Sequence, residues 1–292
     1  MSVLDPQAPL RKPAWLKRRL PKGVGQKPLE NLLHDLKLVT VCEEARCPNK
    51  ADCYASGTST FMILGEICTR HCSFCSVGKG KPLAPDPTEP DRLAEAARRM
   101  NLSHVVITSV DRDDLKDGGA AHWAAVVRRV KEVLPQAKVE VLTPDFQGKT
   151  ASIDTVIEAQ PHIFNHNIET VPSLYWTVRP GSIYARSLDL LRRVKERAPK
   201  MTAKSGLMLG LGETREEVSN LLKDLRAHGV DMLTVGQYLK PVDRCADVAR
   251  YATPEEFADI KAEALSLGFP MVASGPYVRS SYNAKEQFVG QA

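Results

Sequence analysis

The sequence predicts an α/β fold, an open partial (β/α)6 barrel with an N-terminal arm and a C-terminal extension. Three observations carry that expectation. Six short β-branched runs recur: FMILGEI (61–67), HVVITSV (104–110), VEVLTPD (139–145), HIFNHNI (162–168), AKSGLMLG (203–210) and MLTVGQY (232–238). Helix-length amphipathic stretches separate them, and near-continuously apolar strands alternating with helices imply a parallel sheet covered by helices. Each run ends in a cluster of unusual polar residues, where the reactive groups of parallel α/β sheets collect. Six units are too few to close an eight-stranded barrel, so the sheet is expected to stay open. A length of 292 residues would divide into two domains, but α/β barrels of this size are commonly one unit.

Taken in order, the chain opens with a proline-rich, basic stretch. Pro6, Pro9, Pro13, Pro21 and Pro28 punctuate residues 1–30; proline at this density opposes a helix, so an extended arm is expected there. A loose tail is the alternative for residues 1–10. Beyond the first strand, DRLAEAARRM (91–100), AAHWAAVVRRVKEVL (120–134), SLDLLRRVKERA (187–198) and TREEVSNLLKDLRAHG (214–229) have the apolar spacing of helices. The last carries its own boundaries: Thr214 as N-cap, Glu217 completing a capping box, and Gly229 as the stop.

Composition narrows the function classes. With 43% hydrophobic and 26% charged residues the chain reads as globular. No apolar run approaches the ~20 residues that span a bilayer, so no membrane association is expected. A net charge of +5 fits a solvated surface better than nucleic-acid binding, with at most a faint preference for an acidic macromolecular partner.

Six of the seven cysteines fall between Cys42 and Cys75. Cys42, Cys47 and Cys53 form a C-x4-C-x5-C triplet; Cys68, Cys72 and Cys75 form C-x3-C-x2-C; Cys245 stands far downstream. Disulfides would suit a small secreted domain, which this is not, and no apolar signal segment opens the chain. Structural zinc usually takes two C-x2-C knuckles, and here there is one. An iron–sulfur cube held at three corners is the better fit, leaving one iron to bind something else. Reduced thiols place the chain in a reducing compartment, hence the cytoplasm.

The C-x3-C-x2-C motif, with Phe74 before its last cysteine and the run 61–67 before its first, is identified as that of the radical S-adenosylmethionine (SAM) enzymes. The stretches CEEARCPN, GTSTFMILGEICTRHCSFC, TSVDRDDLKDGGA, FNHNIETV, KSGLMLGLGETREEV, VGQYLKP and GPYVRSSYNA together resemble the lipoyl synthases, from about residue 10 to residue 287. The most specific marks are the first cysteine triplet and RSSY. The resemblance implies a TIM-like partial barrel over 61–270. An arm and auxiliary-cluster segment (1–60) would precede it, and a C-terminal segment (271–292) carrying RSSY would follow.

Further expectations come with the resemblance. Cys68, Cys72 and Cys75 would ligate a 4Fe–4S cluster whose open iron binds SAM. Cys42, Cys47 and Cys53 would hold an auxiliary 4Fe–4S cluster that is consumed as sulfur donor. The fourth auxiliary ligand would be Ser281. Cys245 is the candidate by thiolate softness alone, and a backbone-capping turn is the bland reading of Ser280 and Ser281. The activity implied is sulfur insertion at C6 and C8 of a protein-bound octanoyl-lysine. Implied partners are octanoylated lipoyl-carrier domains (2-oxoacid dehydrogenase E2 subunits and the glycine cleavage H protein), a reduced ferredoxin or flavodoxin, and an iron–sulfur carrier that rebuilds the cluster.

At the strand ends, candidates to contact SAM are Thr108, Ser109, Asp111, Asn165, Asn167, Glu169, Lys204 and Gln237. Asn165, Asn167 and Glu169 of NHNIE are costly if buried unpaired and are the most persuasive of these. Gly206, Gly210 and Gly212 would let backbone approach the cofactor, and Arg179 would meet a carboxylate or carbonyl, or else form a surface ion pair. One departure stands out: lipoyl synthases usually carry a His-Leu-Pro type run after QYLxP, where this chain has Cys245-Ala246-Asp247. Two other functions stay open at this point. One is a radical SAM enzyme acting on a different substrate; the other is an iron–sulfur electron carrier, which would not cleave SAM.

Overall fold

A computed structural model describes residues 10–17, 26–55 and 58–281. After a short 3-10 turn at Ala14–Leu16, the elements run α1 (Gln26–Asp35), β1 (Val39–Thr40), α2 (Val41–Glu44), α3 (Lys50–Ala55) and β2 (Thr60–Ile63). A two-stranded ribbon follows, β3 (Ile67–Cys68) with β4 (Gly78–Lys79), then α4 (Glu89–Arg99) and β5 (His104–Ser109). The rest alternates regularly: α5 (Ala120–Val133), β6 (Lys138–Leu142), α6 (Thr150–Glu158), β7 (Ile163–Asn165), α7 (Tyr175–Val178), α8 (Tyr184–Arg197), β8 (Thr202–Leu209), α9 (Arg215–Ala227), β9 (Met232–Gln237), α10 (Pro254–Ser266) and β10 (Met271–Ser274).

One sheet of eight strands organises these elements, in the order β1-β2-β5-β6-β7-β8-β9-β10. Every pairing from β2 to β10 is parallel, and β1 alone runs antiparallel, on β2. The fold is thus the α/β partial barrel expected, and the six anticipated strands are all present. Two strands go beyond the six. β1 is two residues long, too short to leave a pattern, and β10 continues the sheet past the anticipated barrel limit at residue 270.

The arm needs a correction. Residues 26–30 open a helix rather than extending. Pro28 sits in the first turn, where the missing N–H has no intrahelical acceptor to lose. Leu29 and Leu33, one turn apart, are buried and anchor that helix to the core. The tail reading of residues 1–9 lies outside the described residues. At the other end of the sequence reading, α9 has the capping box of Thr214 and Glu217, and Gly229 follows it with φ 80°.

Strand pleating decides which residues meet the chemistry. Val105 and Ile107 of β5, Val139 and Val141 of β6, and Leu233 and Val235 of β9 join the core that includes Trp123, Leu191 and Leu222 of the helices. The residues that alternate with them face the barrel interior, as a side-chain period of two requires. They include Glu140, Lys204, Gly206, Thr234 and Gly236, and the bond from Lys204 to Glu140 runs within the lumen.

After β2 the chain must swing out into the cysteine loop. Leu64 (φ 68°) and Gly65 (φ 93°) make that turn. The Glu89 carboxylate accepts the Leu64 N–H at 3.0 Å, while Arg112 donates to the Leu64 carbonyl at 3.2 Å. A Cβ at Gly65 would meet nothing within 4 Å, so the turn demands glycine for its backbone alone. Gly65→Ala is expected to lose about 1 kcal/mol of stability and Gly65→Asn less, measured by urea unfolding of the cluster-free chain.

Candidate active site

The C-terminal ends of the parallel strands open on one cavity of about 540 Å³. Cys68, Cys72 and Cys75 line it from one side, Cys42 and Cys47 from another, and Arg279, Ser280 and Ser281 cross its mouth. All seven cysteines are free thiols. Among the described residues no group of three His, Cys, Asp or Glu side chains is drawn together on a single metal-ion position.

The loop of Cys68, Cys72 and Cys75 leaves β3 and returns through β4. The backbone N–H groups of Arg70 and Asp111 point at Cys68 Sγ, at 3.4 and 3.3 Å. Such donors suit a sulfur that carries negative charge. Burial pushes the Cys68 thiol up to about 12, with the Asp111 carboxylate adding to the effect. Burial likewise pushes Cys72 and Cys75 up to about 11. Thiols this weakly acidic give up their protons only to a metal that replaces the charge, so loading the site releases protons.

The second cysteine segment is held against β2. Thr40 of β1 pairs with Phe61, and Cys42, the second residue of α2, is buried and pushed up to about 11 by that burial. The Cys47 N–H donates to the Cys42 carbonyl at 3.1 Å; Cys53 sits on α3 and does not line the cavity. The two segments are tied by Ser76, whose hydroxyl donates to the Glu44 carbonyl at 2.5 Å.

Ser281 reaches this second segment. Its Oγ accepts a hydrogen bond from Thr60 Oγ1 at 2.8 Å, and Thr60 is also the partner of the Cys42 thiol. Cys245 lies elsewhere, buried beside Tyr238 behind the other cysteine loop. Its neighbour Ala246 donates its N–H to the Ser73 carbonyl at 2.8 Å, and Arg244 donates to the Ser76 carbonyl at 2.6 Å. The chain's unusual Cys-Ala-Asp segment therefore braces the C-x3-C-x2-C loop, while Ser281 stands near Cys42.

Buried polar atoms without hydrogen-bond partners mark where a polar ligand would lie. Asp111 Oδ1, Thr143 Oγ1, Asn167 Oδ1 and Arg179 Nε are such atoms, all on residues lining the cavity. Buried polar groups are normally satisfied, so this set fits a ligand with both donors and acceptors, as SAM has. Glu169 adds a strained backbone, φ 67°, held by its N–H to the Gly206 carbonyl (2.9 Å) and its carbonyl to the Met208 N–H (2.9 Å). Burial pushes its carboxyl up, against the pull of the Arg179 charge and the Asn167 amide.

Of the residues expected to contact SAM, Thr108, Ser109, Asp111, Asn167 and Glu169 line the cavity, as does Arg179. Asn165, Lys204 and Gln237 do not. Gln237 is spent on the fold: its amide donates to the carbonyls of Leu209, Tyr238 and Arg250 at 3.0 Å and its Oε1 accepts from the Ala252 N–H at 2.9 Å. Lys204 and Asn165 both turn to Glu140 instead. Among the three glycines, only Gly206 lines the cavity; a Cβ at Gly210 would strike Gln237 and the Arg250 carbonyl, so that glycine serves internal packing. Arg179 is no surface ion pair: it is buried and donates to the carbonyls of Asn167 and Ile168 and to Tyr175 Oη.

Sequence reasoning passed over Arg70, inside the C-x3-C-x2-C motif. Its side chain is 3% exposed and fans out to Asp113 (2.7 Å), Asp145 (2.6 Å) and Asp111 (3.4 Å). The clue was present in three aspartates, Asp111, Asp113 and Asp145, at strand ends: carboxylates gathered in one barrel mouth need a shared cation.

Residues 62–225 match the model of the radical SAM superfamily, and residues 2–47 match that of the N-terminal domain of lipoyl synthase of the radical SAM family. The lipoyl synthase of Tolumonas auensis is 54% identical over 284 residues, covering 97% of this chain and 88% of the relative. That of Methylococcus capsulatus is 53% identical, covering 97% and 88%, and that of Rubrobacter xylanophilus is 54% identical, covering 94% and 86%. Among solved structures, methylornithine synthase superposes with a TM-score of 0.54 at 17% identity, covering 85% of this chain and 74% of its own. Streptococcus suis SuiB bound to S-adenosylmethionine superposes with 0.55 at 13% identity, covering 70% and 45%. At such identities the superpositions speak for the fold alone.

The Arg70 cluster makes a pH-dependent prediction. Burial alone would push Asp145 up, but the hydrogen bond and charge of Arg70 outweigh it and hold the carboxyl at about 2. A depressed carboxylate contributes stability above its unfolded value and loses it as pH falls through the folded one. Asp145→Asn is expected to cost about 3 kcal/mol near neutrality by breaking a buried ion pair. The difference from the wild type should shrink between about pH 4 and pH 2, followed by urea unfolding of the cluster-free chain.

Proposed function

The chain belongs to the lipoyl synthase family of radical SAM enzymes, and we propose the following division of labour among its residues. The activity is insertion of sulfur at C6 and C8 of an octanoyl chain amide-linked to a lysine of a lipoyl-carrier domain. Two 4Fe–4S clusters and SAM are its cofactors. When bound, these groups supply a 5′-deoxyadenosyl radical that takes hydrogen from unactivated carbon, and the sulfide that replaces it.

Cys68, Cys72 and Cys75 hold the SAM-binding cluster, and Cys42, Cys47 and Cys53 with Ser281 hold the auxiliary one. The observation that carries this assignment is that Cys42, Cys47 and Ser281 open on the same cavity as the Cys68–Cys75 loop, so an alkyl chain entering there meets both. A serine oxygen is a weaker iron ligand than a thiolate, which suits a cluster that gives up its sulfide. Thr108, Ser109, Asp111, Asn167, Glu169 and Arg179 receive SAM, where Asn167 Oδ1 and Arg179 Nε lack hydrogen-bond partners. The Arg70 side chain keeps Asp111 and Asp113 in place beside the cysteine loop.

The division into residues 1–60, 61–270 and 271–292 is one of task rather than of architecture, since β10 belongs to the sheet. The first segment brings the auxiliary thiols, the second the barrel and SAM site, the third Ser281. E2 subunits of 2-oxoacid dehydrogenases and the glycine cleavage H protein are the carriers we propose. A reduced ferredoxin or flavodoxin supplies electrons, and an iron–sulfur carrier restores the auxiliary cluster, in the cytoplasm. No helix among the described residues is long and apolar enough to cross a membrane.

Anaerobic reconstitution followed by iron and sulfide analysis tests the assignment. About eight irons per chain are expected in the wild type, from two cubes each gripped by its own triplet, and about half in Cys53→Ala and in Cys72→Ala. With an octanoyl-lysine peptide, SAM and dithionite, Ser281→Ala should still form 5′-deoxyadenosine while sulfur insertion falls about tenfold or more. A wild type that cleaves SAM but yields no lipoyl product would defeat the substrate assignment.

A further inference from the structure

Lys204 stands inside the barrel, and its surroundings say what it holds. It is the third residue of β8, and its side chain is wholly buried, as is that of Glu140. Its ammonium donates to Glu140 Oε1 at 2.8 Å and to the backbone carbonyl of Ser280 at 2.6 Å. Glu140 is also met by His104 Nε2 at 3.2 Å and by the Asn165 amide at 3.5 Å. Apolar residues fill most barrel interiors, and an ion pair buried there carries a desolvation cost that its own attraction seldom exceeds. Its explanation lies in the donor it extends beyond Glu140, toward the mouth.

That donor reaches residues 275–281, a strap laid across the strand ends. The strap runs so close to β9 that a Cβ at Gly236 would fall 2.2 Å from the Val278 carbonyl oxygen. Asn49 donates to the Tyr277 carbonyl at 2.8 Å. Ser280 is gripped twice, its carbonyl by Lys204 and its hydroxyl by the Asn167 amide at 2.7 Å. The next residue is Ser281, set against Thr60 and hence beside Cys42.

We propose that Lys204, with Glu140 as counter-ion, is a positioning residue that clamps the Ser280 carbonyl and so sets Ser281 over the auxiliary cysteine triplet. The inference deepens, and rests on, the reading of Ser281 as a cluster ligand. Lys204 thereby leaves the set of SAM contacts and acts on the reaction through the strap. The ammonium's bond to the Ser280 carbonyl is charge-assisted and so stronger than a neutral one, and its loss frees the strap's C-terminal end first.

The test replaces the pair rather than one partner, since an orphaned buried carboxylate would unfold the barrel. Glu140→Leu/Lys204→Met keeps the volume and removes the donor; Glu140→Gln/Lys204→Gln substitutes amides too short to reach Ser280. Amide hydrogen exchange over 275–281, read in the cluster-free chain, is expected to speed up about tenfold or more in each folded variant, the effect of one lost charged hydrogen bond. In the reconstituted protein, a chelator should strip the auxiliary iron correspondingly faster. Wild-type exchange in both variants would overturn the inference, and so would a raised KM for SAM in 5′-deoxyadenosine formation, which would return Lys204 to the cofactor. If exchange quickens but Ser281→Ala retains its auxiliary iron as well as the wild type does, the clamp stands and Ser281 leaves the ligand set.

Discussion

Parallel pairing is the constraint from which the rest follows. A sheet whose strands all run the same way, β2 through β10, delivers every strand's C-terminal end to one rim. The cysteine loop after β2, the aspartates after β5 and β6, Asn167 and Glu169 after β7 and the strap after β10 thus meet without any one of them being long. Residues separated by more than 200 positions become neighbours, as Thr60 and Ser281 are at 2.8 Å.

That convergence has an electrostatic consequence. Strand ends carry polar groups, and bringing them together inside a helix-covered shell removes them from water. Among the described residues the chain answers with four buried cations, each matched to acids: Arg70 to Asp111, Asp113 and Asp145; Arg112 to Asp114; Lys204 to Glu140; Arg179 near Glu169. Charges so paired do not move freely, which makes the cavity wall stiff. The thiols are treated differently. Burial pushes those of Cys42, Cys68, Cys72 and Cys75 up, and Cys68 Sγ accepts the backbone N–H groups of Arg70 and Asp111.

Much of this was legible in the sequence because it is written in periodicity and spacing. Six apolar runs and their polar ends located the rim, and both cysteine segments reach the cavity there. The misreadings share a physical cause, which is that linear position does not give depth. Lys204 and Gln237 were taken as rim residues, yet Lys204 is the third residue of an eight-residue strand and so sits low in the lumen. Gln237 does end β9, but the chain from Arg250 to Ala252 folds back and consumes its amide. Pro28 suggested extension because proline density was counted without regard to helix position, and the first turn tolerates it. β1, at two residues, carries too little pattern to be seen; its pairing comes entirely from β2.

Arg70 and Glu140 show a further limit, and a rule that lessens it. Neither lies at an apolar run's polar end, and neither belongs to a spacing motif by its own chemistry. Both are nevertheless demanded by the groups that were recognised: three strand-end carboxylates require a cation among them, and a lysine inside a barrel requires an anion within reach. Once the topology is granted, charge balance can be applied to the rim as hydrophobic periodicity is applied to the strands. Applied here, it turns Lys204 from a cofactor contact into one end of a buried pair, and the other end of its reach falls on the backbone beside Ser281.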